Sequence, residues 1–287
     1  MSKRLLWLAI FILVIYTPIN ALAEGEIVVS LGANLTQAQR EEMLELFGVK
    51  ENEVTIIEVT NQEERDYLEG LVSDKTIGTK AISSCYVKPL AEGEGIIVET
   101  HNITWVTREM FANAMVTAGV ENAHVVAAAP FNVSGTAALT GIMKAFEKAE
   151  GENLSEEAKK IASEELVTTG ELGDEIGKDE AAELIRKIKE KVISGNIKDS
   201  EDIRRIIIEI SADLNINLTQ EQIDQIVKLM EKIKNLDLNV ENIREQLNKI
   251  AGNLDEVRKK VEENRGLIQK ILDAIIGFFQ WIRGLFS

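Results

Sequence analysis

The order of apolar and polar positions predicts strands that alternate with helices over residues 24–151. Strand-like runs cover 26–31, 53–59, 82–90, 95–101 and 123–129, and helical spacing covers 36–48, 62–72, 107–118 and 135–150. The two strand-like runs that flank Ala91-Glu92-Gly93-Glu94 predict a β-hairpin. We therefore expect a mixed α/β (α+β) N-terminal domain whose sheet is covered by helices.

Two helix starts carry the same capping signature. Thr36 is followed three residues later by Gln39, and Thr219 by Gln222. In this pattern the threonine hydroxyl and the glutamine side chain each accept a hydrogen bond from a backbone N–H that the helix leaves unpaired. Shared capping chemistry explains the local similarity of 34–39 to 217–222 more simply than internal duplication does.

After Gly151 the sequence has helical period throughout, which predicts an all-α helical region over 152–238. Apolar residues then recur with an unbroken 3-4 spacing from Ile226 to Leu285, with Asn264 the one polar member. Such a repeat is typical of a coiled coil. A helix break near Asn239, which can cap a new helix, would instead allow packing on the chain's own domain, and this is the preferred interpretation. An unbroken helix would favour a homo-oligomer.

The C-terminal segment 239–287 ends in an amphipathic tail. Beyond Arg265 the apolar stripe widens more than one partner helix can cover. The residues expected to make contact are Ile275, Phe278, Phe279, Trp281, Ile282 and Phe286. Their aromatic rings suit a membrane surface. The alternatives are a protein partner, including a second copy, and folding of the tail back onto the bundle.

Residues 1–23 have the composition of a signal peptide. Lys3 and Arg4 precede an uncharged apolar run over 5–16, Pro18 follows, and Ala21-Leu22-Ala23 provides a small-x-small cleavage pattern. We expect cleavage after Ala23 and a secreted or cell-envelope location. The alternative is an uncleaved membrane anchor, because 5–23 approaches the roughly 20 residues that span a bilayer.

The charge balance excludes one class of partner. The chain has 32 basic and 48 acidic residues; loss of 1–23 would leave 30 basic residues and a formal charge of −18. Because binding to phosphates requires a basic face, no nucleic-acid partner is expected. Cys85 is the only cysteine, so no internal disulfide can form and stability must come from packing.

Cys85 and His101 are the candidate catalytic pair. A tight hairpin about Gly93 would place Cys85 opposite Thr100 or His101, where an imidazole could activate the thiol. Against this, Cys85 shares a strand face with Val87 and no third orienting residue is evident. A lone strand cysteine is usually a small buried apolar residue, and we prefer that interpretation.

Signals for a metal, a nucleotide or a cofactor are weak. His124 has only His101 as a second histidine, and no calcium-loop pattern is present, so no metal or cofactor is expected. Ser134-Gly135-Thr136 leads from a strand into a helix, whose free N–H groups could hold an anion. The simpler interpretation is that Ser134 caps the helix.

Several phrases of the sequence together resemble one known family. They are 78–84, 102–104, 117–119, 129–131, 133–141 and 169–173. These phrases resemble the domain-of-unknown-function 1002 family of predicted exported bacterial proteins, co-linearly from about Val28 through Leu236. The resemblance implies export and a family fold; it implies no activity, cofactor or catalytic residue.

The sequence thus favours an exported, non-enzymatic binding or structural protein of the cell envelope. The rival hypothesis is a hydrolase or thiol enzyme that uses Cys85 and His101.

Overall fold

The computed structural model describes residues 25–195, 197 and 199–252. Its strands are β1 (Val28–Gly32), β2 (Thr55–Val59), β3 (Ser84–Pro89), β4 (Ile97–Ile103) and β5 (Ala123–Val133). Its helices are α1 (Gln37–Leu46), α2 (Asn61–Leu68), α3 (Asp74–Ile77), α4 (Arg108–Ala118), α5 (Thr136–Glu150), α6 (Glu156–Ile176), α7 (Lys178–Ser194), α8 (Ser200–Asp213) and α9 (Gln220–Asn235). Residues 240–252 are also helical, and we label them α10.

The predicted helix signals are confirmed at the level of single hydrogen bonds. Thr36 and Thr219 each form the complete capping box with the glutamine three residues on. Thr107 caps α4, and Gly119 ends it in the left-handed conformation with φ 88°. Short-range capping chemistry therefore determines where these helices begin and end.

The sheet is mixed, as predicted, but the predicted β3–β4 hairpin does not form. The strand order is β2-β1-β3-β5-β4, so β5 lies between β3 and β4. The turn at 91–94 does form, yet Asn122 fills the space beside it and accepts hydrogen bonds from the N–H groups of Gly93 and Gly95. β5 can lie between two strands because Val125 to Ala129 are small and apolar on both faces, as in a strand buried on both sides.

Helices cover both faces of the sheet. On one face, Val28, Cys85 and Val125 join residues of α4 and α5 in the largest apolar cluster of the described residues. On the other face, Val29 and Leu31 pack with Met43 of α1. Because side chains alternate along a strand, neighbouring residues such as Val28 and Val29 serve opposite layers.

The helical region packs against the α/β layers. Ala162 and Leu166 of α6 and Ala182 of α7 belong to the same apolar cluster as α4, while α7, α8 and α9 share a second cluster. The predicted break at Asn239 is confirmed: its Oδ1 accepts a hydrogen bond from Asn242 N at 3.1 Å. In α10, Ile243, Leu247 and Ile250 then pack on the chain's own α/β core.

The heptad positions beyond residue 252, including Asn264 and the predicted tail contacts Ile275, Phe278, Phe279, Trp281, Ile282 and Phe286, lie outside the described residues, and so does the predicted signal peptide over residues 1–23. Coiled-coil pairing there stays a prediction. Within the described part of the chain, no helix has the length and apolar character needed to cross a membrane.

A buried ion pair joins α4, α6 and α7. Lys189 of α7 is fully buried, and its ammonium donates to Glu165 Oε1 at 2.8 Å, to Asn113 O at 2.7 Å and to Thr117 Oγ1 at 2.9 Å. The hydroxyl of Thr117 in turn donates to Glu165 Oε2. Burial lowers the pKa of Lys189 against the opposing effect of Glu165. All three donor hydrogens of this ammonium therefore have acceptors.

We expect Lys189→Met to cost about 3–5 kcal/mol of unfolding free energy, because it leaves the carboxylate of Glu165 buried without its counter-ion. Adding Glu165→Met should recover most of this loss. The control is Lys232→Met: Lys232 pairs with Glu164 but is half exposed, so its loss should cost about 0–1 kcal/mol. Urea denaturation measures all three. A cost for Lys189→Met no larger than for Lys232→Met would contradict the prediction.

Candidate functional site

Four strands end at one edge of the sheet. β1 runs parallel to β2 and β4 parallel to β5, and both β1 and β5 are antiparallel to β3, so all four point the same way. The helices that follow them, α1, α2, α4 and α5, all begin at this carboxyl edge. In open α/β sheets such an edge is where ligands bind.

A cleft of about 820 Å³ opens at this edge. Distant parts of the chain line it. They are Asn34 and Thr36 after β1, 76–80 and Ser83 before β3, Thr104 and Trp105 after β4, Phe131, Val133, Ser134, Thr136 and Ala137 around the end of β5, Glu64 of α2, and Asp174 of α6. Its volume lies within the roughly 300–1,000 Å³ of small-molecule sites. We refer to it as the carboxyl-edge cleft.

A hydroxyl–carboxyl cluster lies in the carboxyl-edge cleft. Thr136 Oγ1 donates to Glu64 Oε1 at 2.6 Å and lies 3.2 Å from Ser134 Oγ, which donates to Thr76 O at 3.1 Å. Glu64 is 1% exposed. Burial raises the pKa of its carboxyl group, although hydrogen bonds from Thr136 and Asn61 act in the opposite direction. Ligand-binding sites commonly contain a buried polar group that lines the cleft.

Ser83 adds another hydroxyl-bearing residue to the lining of the carboxyl-edge cleft. The residue is 6% exposed. A hydroxyl can donate one hydrogen bond and accept others, so Ser83 can bond to a ligand or to water at the cleft.

Trp105 forms a rigid wall of the cleft. Its indole Nε1 donates to Asp174 Oδ2 at 3.0 Å, while Lys178 donates to the Trp105 carbonyl at 2.8 Å and lies 5.0 Å from the ring centre. Burial raises the pKa of Asp174, but hydrogen bonds from Trp105 and Lys178 outweigh it, so the pKa is lowered overall. Gly170 packs so closely on the indole that a Cβ would collide with it.

The segment 76–83 is fixed to the strands beside it. Arg65 Nη2 donates to Gly78 O at 2.8 Å, and the Asn34 side chain accepts from Ala81 N at 2.9 Å. Gly32 approaches the Ala81 carbonyl so closely that no side chain fits there. This wall of the cleft is therefore held by its backbone as well as by its side chains.

The structure does not bring Cys85 and His101 together. Cys85 pairs with Ala127, which pairs with Thr100, so β5 separates the two strands and Cys85 lies about 9–10 Å from Thr100. His101 is the next residue on β4 and points to the opposite face. Cys85 is fully buried against Gly141 and Ser30, and burial raises the pKa of its thiol to about 12.

The predicted anion site lies inside the carboxyl-edge cleft, but its serine does not cap the helix. Gly135 is the N-cap of α5, with φ 97° and no side-chain cap, and a Cβ there would collide with Ile103. Ser134 instead bonds to Thr76. Anion binding at Ser134, Gly135 and Thr136 stays a prediction; the carboxyl group of Glu64 already bonds Thr136.

His124 bonds to the Glu99 carboxylate, with Nε2 and Oε1 3.0 Å apart. A group of three or more histidine, cysteine or acidic side chains able to hold a metal ion does not occur in the part of the chain that the structure describes.

Sequence reasoning missed most of the residues that shape the cleft. Glu64 and Asp174 sit in helical patterns that look like solvated charge, and Trp105 and Phe131 follow strands as isolated aromatics. The one signal was indirect, because the phrases 78–84, 102–104, 129–131 and 133–141 all lie at or next to this edge.

Comparison with known proteins identifies the family to which the chain belongs. The chain belongs to the family described as "Protein of unknown function (DUF1002)", which matches residues 31–250. The resemblance seen in the sequence is thereby confirmed. A curated relative, "Uncharacterized protein YpuA" of Bacillus subtilis (strain 168), is 41% identical over 286 residues, covering 98% of this chain and 97% of the relative. No solved structure matches the chain.

The burial of Cys85 generates a reactivity prediction. In the folded protein at pH 8, iodoacetamide should alkylate the thiol far more slowly than in urea, because the thiolate is scarce and the sulfur is enclosed. Cys85→Ala should cost about 1 kcal/mol of unfolding free energy, as for a near-isosteric core change. Mass spectrometry of the alkylated protein measures the rate. Equal rates in the folded and unfolded states would contradict the buried thiol.

Proposed function

We propose that this chain is a non-enzymatic binding protein that works outside the cytoplasm and takes a small polar ligand in the carboxyl-edge cleft. One observation carries the proposal: segments far apart in the sequence, from Asn34 to Asp174, converge on one cleft at the carboxyl edge. Convergence of polar side chains on a preformed cleft is the usual architecture of a ligand site.

The preformed walls favour binding. Trp105 is held by Asp174 and Lys178, and 76–83 is held by Arg65 and Asn34. Side chains that are already ordered lose little conformational entropy when a ligand arrives. A cleft of this kind can bind its ligand without a large rearrangement.

The rival function, a thiol enzyme, loses its support. Its two residues, Cys85 and His101, lie on strands separated by β5, and the thiol is enclosed in the core. A nucleophilic cysteine needs access to substrate and a lowered thiol pKa, whereas burial raises the pKa of Cys85. Binding is therefore the function that the cleft supports best.

The proposed location is supported by the sequence of residues 1–23. A basic start, an apolar run and Ala21-Leu22-Ala23 together form an export signal. A membrane surface or a protein partner, including a second copy, is proposed to contact the C-terminal tail through Ile275, Phe278, Phe279, Trp281, Ile282 and Phe286. The cleft would then present its ligand close to the envelope.

The export proposal predicts a mature N-terminus at Glu24. We expect the protein recovered from the culture medium or the outer face of the membrane of a Gram-positive host to begin at this residue, because signal peptidase cleaves after small-x-small sequences. Mass spectrometry of the N-terminal peptide measures this. The control is Ala23→Trp, which should leave residues 1–23 attached. An intact Met1 on exported wild-type protein would contradict cleavage and favour an anchor.

The binding proposal predicts that filling the carboxyl-edge cleft abolishes ligand binding. Thr104 is exposed and lines the cleft, so Thr104→Trp should block it without disturbing the core. Lys228→Trp places the same side chain on an exposed position of α9 and is the control. Saturation-transfer NMR with a defined mixture of sugars, amino acids and nucleotides detects binding.

We expect at least one compound to bind both the wild-type protein and Lys228→Trp, and Thr104→Trp to lose that signal. Equal signals for Thr104→Trp and wild type would place the binding elsewhere and contradict the proposal. The absence of any bound compound with the wild-type protein would contradict it as well.

A further inference from the structure

Phe131 is an aromatic side chain without a place in the core. It lines the carboxyl-edge cleft near the end of β5 and is 49% exposed. It belongs to none of the four apolar clusters that the described residues form. An exposed ring at a cleft leaves apolar area in water that a ligand can cover. The ligand therefore has at least one apolar face.

Trp105 provides a second, fixed aromatic surface in the same cleft. Its orientation is set by the hydrogen bond to Asp174, by Lys178 and by the close contact with Gly170. A ring that is already held in place by such contacts offers contact area at a low entropic cost. The cleft thus has a rigid aromatic surface at Trp105 and an exposed one at Phe131.

The remaining lining is rich in hydroxyl groups. Ser83, Ser134 and Thr136 bring hydroxyls to the cleft, and the residue Ser83 is 6% exposed. A serine hydroxyl both donates and accepts hydrogen bonds, as does a hydroxyl of a sugar. The ligand therefore combines apolar faces with hydroxyl-bearing edges.

The charges of the cleft favour an uncharged ligand. The carboxylate of Asp174 is already neutralised by Lys178 at 3.1 Å, and the carboxyl group of Glu64 is hydrogen-bonded to Thr136. Lys80, which is exposed, is the one basic side chain among the described residues lining the cleft. A phosphate would meet a single exposed basic side chain among these residues and a chain with a net charge of −16.

From these observations we infer that the carboxyl-edge cleft binds a neutral oligosaccharide, an inference that rests on the proposed binding function. The C–H faces of the sugar rings lie against Phe131 and Trp105, and their hydroxyl edges reach Ser83 and the Glu64–Thr136 pair. Carbohydrate is the ligand class that combines flat apolar faces with edges that donate and accept hydrogen bonds. The cleft volume of about 820 Å³ accommodates a short chain of sugars.

The test uses three uncharged trisaccharides, tri-N-acetylchitotriose, cellotriose and maltotriose, with trigalacturonate as a charged probe of the same length. Isothermal titration calorimetry on the purified full-length protein measures affinity, and the fluorescence of its three tryptophans, Trp7, Trp105 and Trp281, gives a second binding signal. We expect at least one neutral trisaccharide to bind with a Kd of ~1 mM or tighter, and trigalacturonate to bind about tenfold more weakly or not at all.

Matched variants locate the site. Phe131→Ala should weaken binding about tenfold and Phe131→Tyr should retain it, because the aromatic face is the contact. Ser83→Ala should weaken binding severalfold. Ile208→Ala removes a side chain that is also half exposed but lies on α8, outside the cleft, and should leave the affinity unchanged. Circular dichroism melting verifies that each variant is folded.

Two results would overturn the inference: neutral trisaccharides that do not bind, or binding that folded Phe131→Ala and Ser83→Ala leave unchanged. If a non-sugar compound binds and Thr104→Trp abolishes that signal, the carbohydrate inference fails while the proposed binding function stands. If neither sugars nor other compounds bind the wild-type protein, both fail.

Discussion

The position of β5 between β3 and β4 is the constraint on which the rest of the structure depends. Its residues Ala123 to Ala128 pair antiparallel with β3, and His124 to Ala128 together with Val133 pair parallel with β4. This arrangement places the carboxyl ends of β4 and β5 next to each other, at the same edge of the sheet as the carboxyl end of β1. A β3–β4 hairpin would leave β4 antiparallel to β3, as it is now, but would insert it between β3 and β5. The end of β5, with Ser134 and Thr136, would then lie one strand farther from the end of β1, so the observed cleft depends on β5 lying next to β3.

The helical region completes the cleft, and the buried Lys189–Glu165 pair fixes its position. That pair links α6 and α7 to Asn113 and Thr117 of α4, the helix that connects β4 to β5. The same α6 carries Gly170 and Asp174 to the indole of Trp105. A charged pair without solvent tolerates few alternative arrangements, because each displaced donor would remain unsatisfied. Packing of the second region on the first and the geometry of the cleft wall are therefore coupled.

The sequence predicted what short-range chemistry determines. The capping boxes at Thr36 and Thr219, the helix end at Gly119 and the break at Asn239 all depend on contacts within a few residues, and all are confirmed. Strand order depends on pairing between distant segments, which a turn pattern at 91–94 cannot reveal. For the same reason the role of Glu64 could not be predicted, because its hydrogen-bond partner Thr136 lies 72 residues away in the sequence. The prediction that Cys85 and His101 form a pair was wrong because it depended on a β3–β4 hairpin, which does not form.

The charge of the whole chain differs from the charge that a ligand would meet in the proposed binding cleft. Acidic side chains dominate the chain, with 48 against 32 basic ones. Within the described cleft, Asp174 is paired with Lys178 and Glu64 is buried against Thr136. An uncharged ligand gains no electrostatic steering, so charge does not raise its association rate. Its affinity must then come from the contacts made inside the cleft, which depend on walls that are already in place. The contacts of Asp174, Lys178 and Gly170 hold Trp105 in place and so provide such a wall. An indole that was free to change its orientation would bind the same ligand more weakly, because binding would have to order it.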